Sequence, residues 1–387
     1  MATMVSLVSE QTVPNILAIW HFQPDKLLFI STEEMERKQK IRDIVDTLNR
    51  RNTCSYQPAI NTEAVIVVED SLYQNLRKLE EWVQGKEDEF FIVNLTGGTK
   101  LMAIAVFEFF KNYENKMIYI PINKNEFIST FPIRSPKPTV PLTHRLTVDE
   151  YLCAYGLRTV SQDKVTRCID AAKQNKQGTE WIVLHYNELE QLLSVLGQQL
   201  REKRGKTSFH CSMDYHIQNN IESEFFDRFH FRREENHYSK SMSKNEIAYF
   251  TGGWLEDFCY NAVADLVGEG VDDAAINTDI RNVQGRENEF DVIFTSENAL
   301  YTIECKSLEQ YHDKKFDVLY KIGALQNEFG LRAQSYLVTT SSQLIHEETG
   351  EIKQHIKERA RQFRTKIIGP EQLKDLKDIL ARRFSVR

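Results

Sequence analysis

Two acidic residues and a lysine near the C-terminal end of this 387-residue chain have the types and spacing of a catalytic site. Asp291 lies within residues 289–295, and Glu304 and Lys306 lie within residues 300–306. Both runs are rich in strand-forming residues and a short polar turn separates them, so the pattern predicts a β-hairpin. Pairing the runs across the turn places Asp291 opposite Glu304, with Lys306 on the same side because strand side chains alternate.

This arrangement favours the chemistry of a divalent metal. Two carboxylates at cross-strand distance repel each other unless a cation lies between them. Oxygen ligands suit Mg²⁺ or Mn²⁺, which polarise a phosphodiester and lower the pKa of a bound water. Lys306 could position that water or stabilise the charged transition state. The alternative is a solvent-facing hairpin of mixed charge, but the opposite face, with Phe290, Val292 and Phe294, is apolar.

A helix predicted to begin near Gly252 could bring a third carboxylate to the same place. Its apolar stripe consists of Leu255, Phe258, Cys259, Ala262 and Leu266. Glu256 lies off that stripe, so we expect it to reach the metal site from the helix before the hairpin. A further helix is predicted over residues 316–329, from which Lys321 could approach the scissile phosphate. A surface lysine is the commoner role for such a residue.

Residues 94–100, in the N-terminal half, predict a second functional segment where an apolar strand turns into a helix. Gly97 and Gly98 let the backbone approach a ligand closely, and the start of the helix offers free N–H groups to a phosphate. Hydroxyl donors and a positive charge are supplied by Thr96, Thr99 and Lys100. A tight turn with ordinary helix capping and no ligand is the alternative.

The elements around this turn predict an α/β domain over residues 1–141. Apolar runs alternate with helical periodicity, which is typical of a mainly parallel sheet covered by helices on both faces. Ligands of such sheets bind outside the carboxyl ends of the strands. The residues expected along that rim are Ser9, Gln11, Thr12, Thr32, Thr96, Gly97, Gly98, Thr99 and Lys100. A rim rich in hydroxyls and amides suits a phosphate-bearing nucleotide.

Two common nucleotide-binding motifs are missing from the sequence. The first strand-to-helix turn, residues 9–12, contains no glycine, so the GxGxxG fingerprint of dinucleotide coenzyme domains is absent. The GxxxxGK[ST] loop of Walker-type nucleotide hydrolases is absent as well. The sequence therefore favours a nucleotide sensor over a coenzyme domain or an ATPase.

The middle of the chain gives the fewest indications. Prolines cluster between Pro132 and Pro141 and mark a boundary, beyond which helical periodicity recurs over residues 149–157 and 181–201. We predict a helical connector over residues 142–245, with a winged helix as one form that it could take. The C-terminal domain then spans residues 246–387 and contains a further apolar strand at residues 335–339.

Composition narrows the class of protein. No apolar run is long enough to span a membrane, and the N-terminus lacks a secretion signal. The six cysteines are scattered without a CxxC pair, which argues against a zinc ribbon or a disulfide framework and fits a reducing cytoplasm. The net charge is −7, yet residues 353–387 carry eleven Lys and Arg against four Asp and Glu. This basic end could hold a nucleic-acid backbone, or it could be a solvated helix face.

Together these features resemble the CRISPR-associated nucleases of type III systems that join a CARF sensor domain to a PD-(D/E)XK nuclease. The resemblance is carried by the CARF-like loop sequences at residues 7–12 and 94–100, by residues 252–256, and by the core Asp291…Glu304-Cys305-Lys306. It implies an α/β fold throughout. A Rossmann-like CARF domain comes first, then the connector, then a restriction-endonuclease-like domain.

The resemblance also implies roles and partners. Asp291 and Glu304 would be ligands of Mn²⁺ or Mg²⁺, Lys306 the catalytic lysine, and Glu256 and Glu289 supporting acids. The protein would be a homodimer that binds a cyclic oligoadenylate, with cyclic tetra-adenylate as the expected ring, across paired CARF domains. Binding would admit DNA, and in some relatives RNA, to the nuclease domains, where duplexes are nicked or single strands degraded.

Three other functions stay open at the level of sequence. A nucleotide-sensing transcriptional regulator would bind DNA through its middle helices without catalysis, and it would have no use for the acid–lysine hairpin. A constitutive repair or restriction nuclease would use the N-terminal half as a scaffold alone. A sensor that degrades its own ligand would need Lys100 or a nearby hydroxyl beside the 2′-OH of that ligand.

Overall fold

The computed structural model describes residues 1–51, 61–122, 124–132, 136–307, 329–341, 344, 346 and 351–384. Its strands are β1 (Ala2–Leu7), β2 (Lys26–Thr32), β3 (Thr62–Val67), β4 (Phe90–Asn94), β5 (Asn115–Tyr119), β6 (Glu126–Ser129), β7 (Val140–Pro141), β8 (Arg158–Thr159), β9 (Ser208–Asp214), β10 (Arg232–Glu234), β11 (His237–Ser243), β12 (Asp273–Arg281), β13 (Glu287–Ser296), β14 (Ala299–Lys306), β15 (Gln334–Thr339) and β16 (Thr365–Ile368). Its α-helices are α1 (Val13–Phe22), α2 (Glu33–Arg37), α3 (Lys40–Leu48), α4 (Leu72–Val83), α5 (Lys100–Phe110), α6 (Val148–Ala154), α7 (Gln162–Leu184), α8 (Tyr186–Arg201), α9 (Asn220–Arg228), α10 (Lys244–Ala248), α11 (Trp254–Ala264), α12 (Gln354–Gln362) and α13 (Leu376–Phe384).

The N-terminal sheet has the strand order β3-β2-β1-β4-β5-β6-β7, and its first five strands are parallel. Along β1, Met4 packs into the hydrophobic cluster that contains α1 and α3, whereas Val5 packs into the cluster that contains α4 and α5. Alternate residues thus bury opposite faces, as a doubly covered sheet requires. The prediction of a parallel α/β domain is confirmed, and the antiparallel additions β6 and β7 were not predicted.

The middle of the chain is more than a helical connector. The helix predicted at residues 181–201 is divided at His185 between the end of α7 and the whole of α8. Residues 208–243 then form a three-stranded antiparallel sheet in the order β10-β11-β9, with α9 between its strands. Its inner face buries Cys211, Met213 and Tyr238, and the alternate residues face solvent. Strand β8, which also belongs to the middle of the chain, is not part of this three-stranded sheet. It pairs with β12, at the edge of the C-terminal sheet.

The C-terminal sheet has the order β16-β15-β14-β13-β12-β8, and the predicted hairpin, β13 and β14, lies in its middle. The predicted register is confirmed, since Val292 pairs with Ile303 and Thr295 with Leu300. A two-residue turn joins the strands, and Glu297 and its neighbour both have positive φ, of 50° and 58°, as a type I′ turn requires. The strand predicted at residues 335–339 is β15, parallel to β14.

One expectation about the hairpin is wrong. Its apolar face was predicted to be opposite a polar face, but Ile293 and Leu300, on the side expected to be polar, are fully buried in a second hydrophobic cluster. The hairpin is covered on both faces, since a hydrophobic cluster packs against each of them. Its polar residues lie at the carboxyl end of β14 and not along one whole face.

Helix α11 packs against this sheet and against α7. A one-turn π-helix, Tyr249–Gly253, leads into it, and Gly252 there adopts φ 135°, which favours glycine. The predicted apolar stripe is buried, including Leu255 and Cys259. Among the described helices, none is long and apolar enough to cross a bilayer. The helix predicted at residues 316–329, with Lys321, lies outside the described residues apart from its last position.

Candidate functional site

The acidic residues and the lysine singled out in the sequence line one cavity of about 260 Å³. It opens where α8, the π-helical turn, α11 and the carboxyl end of β14 meet. Its charged residues are Arg201, Arg204, Glu256, Glu289, Asp291, Glu304 and Lys306. The structure therefore brings together residues that lie about a hundred positions apart in the chain.

Glu304 and Lys306 lie two positions apart at the end of β14. Lys306 Nζ is 3.1 Å from Glu304 Oε1, and Glu304 is only 9% exposed. β14 pairs with β15 as far as Lys306, opposite Thr339, so its backbone is fixed up to the cavity. A charge-assisted contact on a fixed strand holds the ammonium group of Lys306 in a defined place.

Asp291 lies where β13 and β14 separate. The ladder of paired residues between the strands ends at Val292 and Ile303. Just beyond it, Asp291 Oδ2 accepts a hydrogen bond of 2.7 Å from Cys305 N–H. Burial raises the pKa of Asp291 well above its usual range, and the charges of Glu304 and Glu256 raise it further. The cavity thus favours a neutral Asp291 or a cation beside it.

Glu256 comes from the first turn of α11, as expected from its place off the apolar stripe. Burial raises the pKa of its carboxyl group, and the charges of Glu289 and Glu304 add to the shift. A hydrogen bond from the side chain of Asn277 and the charge of Arg204 act in the opposite direction. Glu304 therefore destabilises the charged forms of both Glu256 and Asp291 across the same cavity.

Glu289 is placed differently from the other acids. Its side chain is 54% exposed, and Oε1 lies 2.8 Å from the ammonium group of Lys164. Lys164 also contacts Asp279 at 2.9 Å. Glu289 is thus held in an ion-pair network at the mouth of the cavity.

The donor set fits a hard divalent cation. Carboxylate oxygens at raised pKa are the groups whose charge such an ion would stabilise. Within the described residues, however, no three Asp, Glu, His or Cys side chains lie close enough together to form a complete metal-binding group. The carboxylates face one cavity, and a bound ion would have to draw their oxygens closer together.

Two arginines in the cavity were not predicted. Arg204 donates from Nε to Thr251 Oγ1 at 2.7 Å, and its Nη2 donates to the Thr251 carbonyl. Arg201 lies one turn earlier, at the end of α8. The sequence signal was the spacing of three residues, which places both on one side of a helix end. This spacing did not lead to a prediction that the arginines belong to the site, because nothing in the sequence related residues 201–204 to the hairpin.

The predicted ligand-binding rim is built around Gly97. A Cβ atom at this position would lie 2.2 Å from the carbonyl oxygen of Leu7, so only glycine allows the turn after β4 to pack on the end of β1. Gly98 has φ 71° and is exposed, as is Lys100 at the start of α5. Ser9 lies half-buried, 3.4 Å from where a Cβ atom on Gly97 would be.

The predicted hydroxyl groups mostly hold the rim together. Thr96 Oγ1 donates to Asn94 Oδ1 at 2.6 Å and accepts from Ile120 N–H. Thr99 and Thr32 cap helices α5 and α2 through Met102 N–H and Met35 N–H. Thr12 does not face the rim as expected, because it is fully buried and donates to the Ala154 carbonyl.

Gln11 joins the rim to the C-terminal half of the chain. Its Oε1 accepts hydrogen bonds from Tyr155 Oη at 3.2 Å and from Leu331 N–H at 3.1 Å. Leu331 lies just before β15, the strand that pairs with β14. The amide of Gln11 is thus a direct contact between the predicted ligand loop and the segment that precedes β15, the strand beside β14.

Comparisons with known proteins agree with this division. The family model of the Card1 CARF domain matches residues 3–151, and that of the Card1-like endonuclease domain matches residues 243–387. No curated protein sequence matches the chain.

Two solved structures are similar over nearly the whole length. Protein VC1899 from Vibrio cholerae has a TM-score of 0.80 at 20% identity, covering 99% of this chain and 98% of its own. Can2 from Sulfobacillus thermosulfidooxidans, solved in complex with cyclic tetra-adenylate, has a TM-score of 0.75 at 18% identity, covering 98% and 97%. At these identities the likeness establishes a shared fold.

Proposed function

Because this chain belongs to the proteins that join a Card1-type CARF domain to a Card1-like endonuclease domain, we propose that it is a metal-dependent endonuclease activated by a cyclic oligoadenylate. The observation that carries the proposal is the convergence of Glu256, Asp291, Glu304 and Lys306 on one cavity of the endonuclease domain. A regulator without catalysis would not need three carboxylates around one cavity, two of which, Glu256 and Asp291, have a pKa raised by burial and by neighbouring carboxylates.

Asp291, Glu304 and Glu256 would hold the metal, Mn²⁺ or Mg²⁺. The raised pKa values of Asp291 and Glu256 support this assignment, since a divalent cation would stabilise the carboxylates that burial disfavours. When bound, the ion supplies Lewis acidity for the scissile phosphate and an acidified water. Glu289 would act as a supporting acid at the mouth of the cavity.

The chain's own cations would act on the nucleic acid. Lys306, held by Glu304, would donate a hydrogen bond to the attacking water or to the phosphate oxygens on which negative charge develops. Arg204 has its guanidinium group oriented by Thr251 and would face the phosphate that enters the cavity. Residues 353–384, which are strongly basic, would contact the nucleic-acid backbone further away; they include α12, which packs against β16, and α13, which packs against α11.

We expect DNA to be the substrate, nicked as a duplex or degraded as a single strand, with RNA as a second substrate. The cavity contacts proposed here are to phosphate and metal, which carry no base specificity. The biological setting that follows from the two domains is type III CRISPR antiviral defence.

The activator would bind at the rim of the N-terminal sheet, and cyclic tetra-adenylate is the ring that we propose. Gly97 and Gly98 would let a phosphate approach the start of α5, and Lys100 and Ser9 would contact it. Thr96, Thr99, Thr32 and Thr12 would hold the loops in shape. Gln11 would pass a movement of its loop to the segment before β15.

A homodimer would place two such rims against one ring. Leu101 and Ile104, on one face of α5 immediately after the glycine turn, are 38% and 51% exposed, and Tyr73 on the neighbouring α4 is 73% exposed. Exposed apolar side chains beside a predicted ligand site favour a protein interface there.

The test is cleavage of plasmid, single-stranded DNA and RNA in Mn²⁺ and cyclic tetra-adenylate. We expect Glu304→Gln to lose about 10²-fold or more in rate, because the neutral amide can neither hold the metal nor orient Lys306. Glu269→Gln, in an exposed turn of the same domain, is the matched control. Cleavage by Glu304→Gln at the wild-type rate would remove the cavity from the mechanism.

A further inference from the structure

Asn277 has an unusual backbone for its position. It lies in the middle of β12 and has φ 49°, in the left-handed region that non-glycine residues seldom occupy inside a strand. Ile276 pairs with Val292 and Thr278 pairs with Phe290, so the residue opposite Asn277 is Asp291. Backbone strain of this kind persists where the surroundings impose it, and it concentrates at functional sites.

The side chains of β13 show the consequence of this irregularity. Phe290 packs against Phe329 in the same hydrophobic cluster as Ile293. In a regular strand, residues three positions apart point to opposite faces. The alternation of side chains between the two faces of the sheet is therefore broken between Phe290 and Ile293. This break turns the side chain of Asp291 toward α11, where it lines the cavity with Glu256. A regular pleat would leave Asp291 on the face with Ile293.

The side chain of Asn277 makes the second contact. Its amide forms a hydrogen bond with the carboxylate of Glu256, which belongs to α11 and not to the sheet. An amide N–H can hold one carboxylate oxygen in place and leave the remaining lone pairs for another partner. Asn277 thus touches one acid of the cavity through its side chain and affects another through its backbone.

We propose that Asn277 is a positioning residue of the nuclease site. Its left-handed backbone turns Asp291 out of the regular pleat, and its amide orients Glu256, so that both carboxylates face the same divalent ion. The inference rests on the proposed function, since it assigns a role within the metal site described above. A substitution can keep the left-handed backbone and change only the side chain of residue 277, so the part played by the amide can be tested on its own.

Asn277→Gly keeps the left-handed backbone and removes the amide. Asn277→Asp tolerates the same backbone but replaces the donor with a third negative charge beside Glu256. Asn298→Gly is the matched control. Asn298 has φ 58° in the turn between β13 and β14, but its side chain contacts Leu146, Asn125 and His144, and it does not line the cavity.

The experiment measures Mn²⁺ binding to the full chain by calorimetry, with cleavage at saturating and subsaturating Mn²⁺ and melting temperature alongside. We expect Asn277→Gly to weaken Mn²⁺ binding by about 10-fold or more, as loss of a residue that orients a metal ligand does. Asn277→Asp should weaken it further, and Asn298→Gly should not change it. Raising the Mn²⁺ concentration should restore most of the cleavage by Asn277→Gly.

Unchanged Mn²⁺ affinity in a folded Asn277→Gly protein would overturn this inference and leave the proposed function in place. Equal weakening by Asn298→Gly would also overturn it, because the effect would then be general to the sheet. Wild-type protein that neither binds Mn²⁺ nor cleaves would overturn the proposed function itself.

Discussion

At the scale of single residues, Asp291 has two tasks that conflict. Its carboxylate replaces the missing ladder acceptor for Cys305 N–H, and it lies buried near two other carboxylates that raise its pKa. An amide oxygen could accept the hydrogen bond from Cys305 N–H equally well, whereas the negative charge of the carboxylate is useful only for binding a cation. Residues kept at a cost in stability are typical of active sites.

We therefore predict that Asp291→Asn is more stable than the wild type when metal is removed. The amide keeps an oxygen for Cys305 N–H and removes the repulsion with Glu304, which should raise the free energy of unfolding by about 0.5–2 kcal/mol. Cleavage should be abolished. Thermal denaturation in EDTA and in excess Mn²⁺ measures this, because the metal should stabilise only the wild type. A variant that is less stable than the wild type in EDTA would show that the charge is needed for folding.

Residues of the cavity were predictable from sequence to the extent that local patterns place them. Asp291, Glu304 and Lys306 share one hairpin whose strands and turn are evident in the sequence, and Glu256 lies beside an evident apolar stripe. Arg204 and Asn277 were missed, since the first depends on a contact between distant segments and the second on one backbone angle. The sequence analysis also predicted the side of the hairpin on which Asp291 lies by assuming regular alternation of side chains, and the structure lacks this alternation at Asp291.

At the scale of elements, the turn from β4 into α5 shows how tightly a loop can be specified. Its backbone lies against the end of β1, so the space at Gly97 is set by a carbonyl group and not by a flexible side chain. That packing and the cap of α5 by Thr99 hold the helix start at the rim.

Gly97→Ala should therefore disrupt the rim. The added methyl group would lie 2.2 Å from the Leu7 carbonyl oxygen, so the turn must move away from β1. We expect loss of cyclic tetra-adenylate binding, by about 10-fold or more if the movement costs 1.4 kcal/mol or more, and a lower melting temperature. Gly178→Ala is the control, since a methyl group there would make ordinary contacts at 3.4 Å. Ligand affinity that survives in Gly97→Ala would place the binding site elsewhere.

The elements that sequence reasoning found are those with strong periodicity. The parallel strands of the first domain are nearly all apolar and the hairpin has a polar turn, so both were identified. The sheet of β9, β10 and β11 was missed because its strands alternate buried residues such as Met213 with polar ones such as Ser212 and Asp214 in short runs. No turn signal as clear as that at Glu297 lies beside these runs, so their sequence pattern was not distinguished from that of a loop.

At the scale of the whole molecule, contacts between the domains could not be predicted. Gln11 was expected to bind the nucleotide, which stays a prediction, and the structure adds that its amide oxygen contacts Tyr155 and Leu331. Each of these contacts joins segments far apart in the sequence, where no local pattern relates one residue to the other. In the proposed mechanism, such contacts would transmit the effect of ligand binding from the rim to the cavity.

Self-association is a property of this scale as well. Ile104→Glu should convert a dimer to a monomer, because it places a charge on an apolar surface of α5 that would be buried between two copies. Size-exclusion chromatography with light scattering measures the mass, and Arg42→Glu, at an exposed position on α3 on the opposite side of the sheet, is the control. A monomeric wild type, with and without ligand, would contradict the proposed homodimer.

The most direct test of the account is the rate at which the wild-type protein cleaves plasmid in Mn²⁺ with and without cyclic tetra-adenylate. Binding at the rim should raise the rate by at least about 10-fold, within the usual range of coupling between two sites. The increase should vanish in Gly97→Ala, while Glu304→Gln should be inactive in both conditions. Equal rates with and without the ring would contradict the account, since the N-terminal domain would then be a scaffold for a constitutive nuclease.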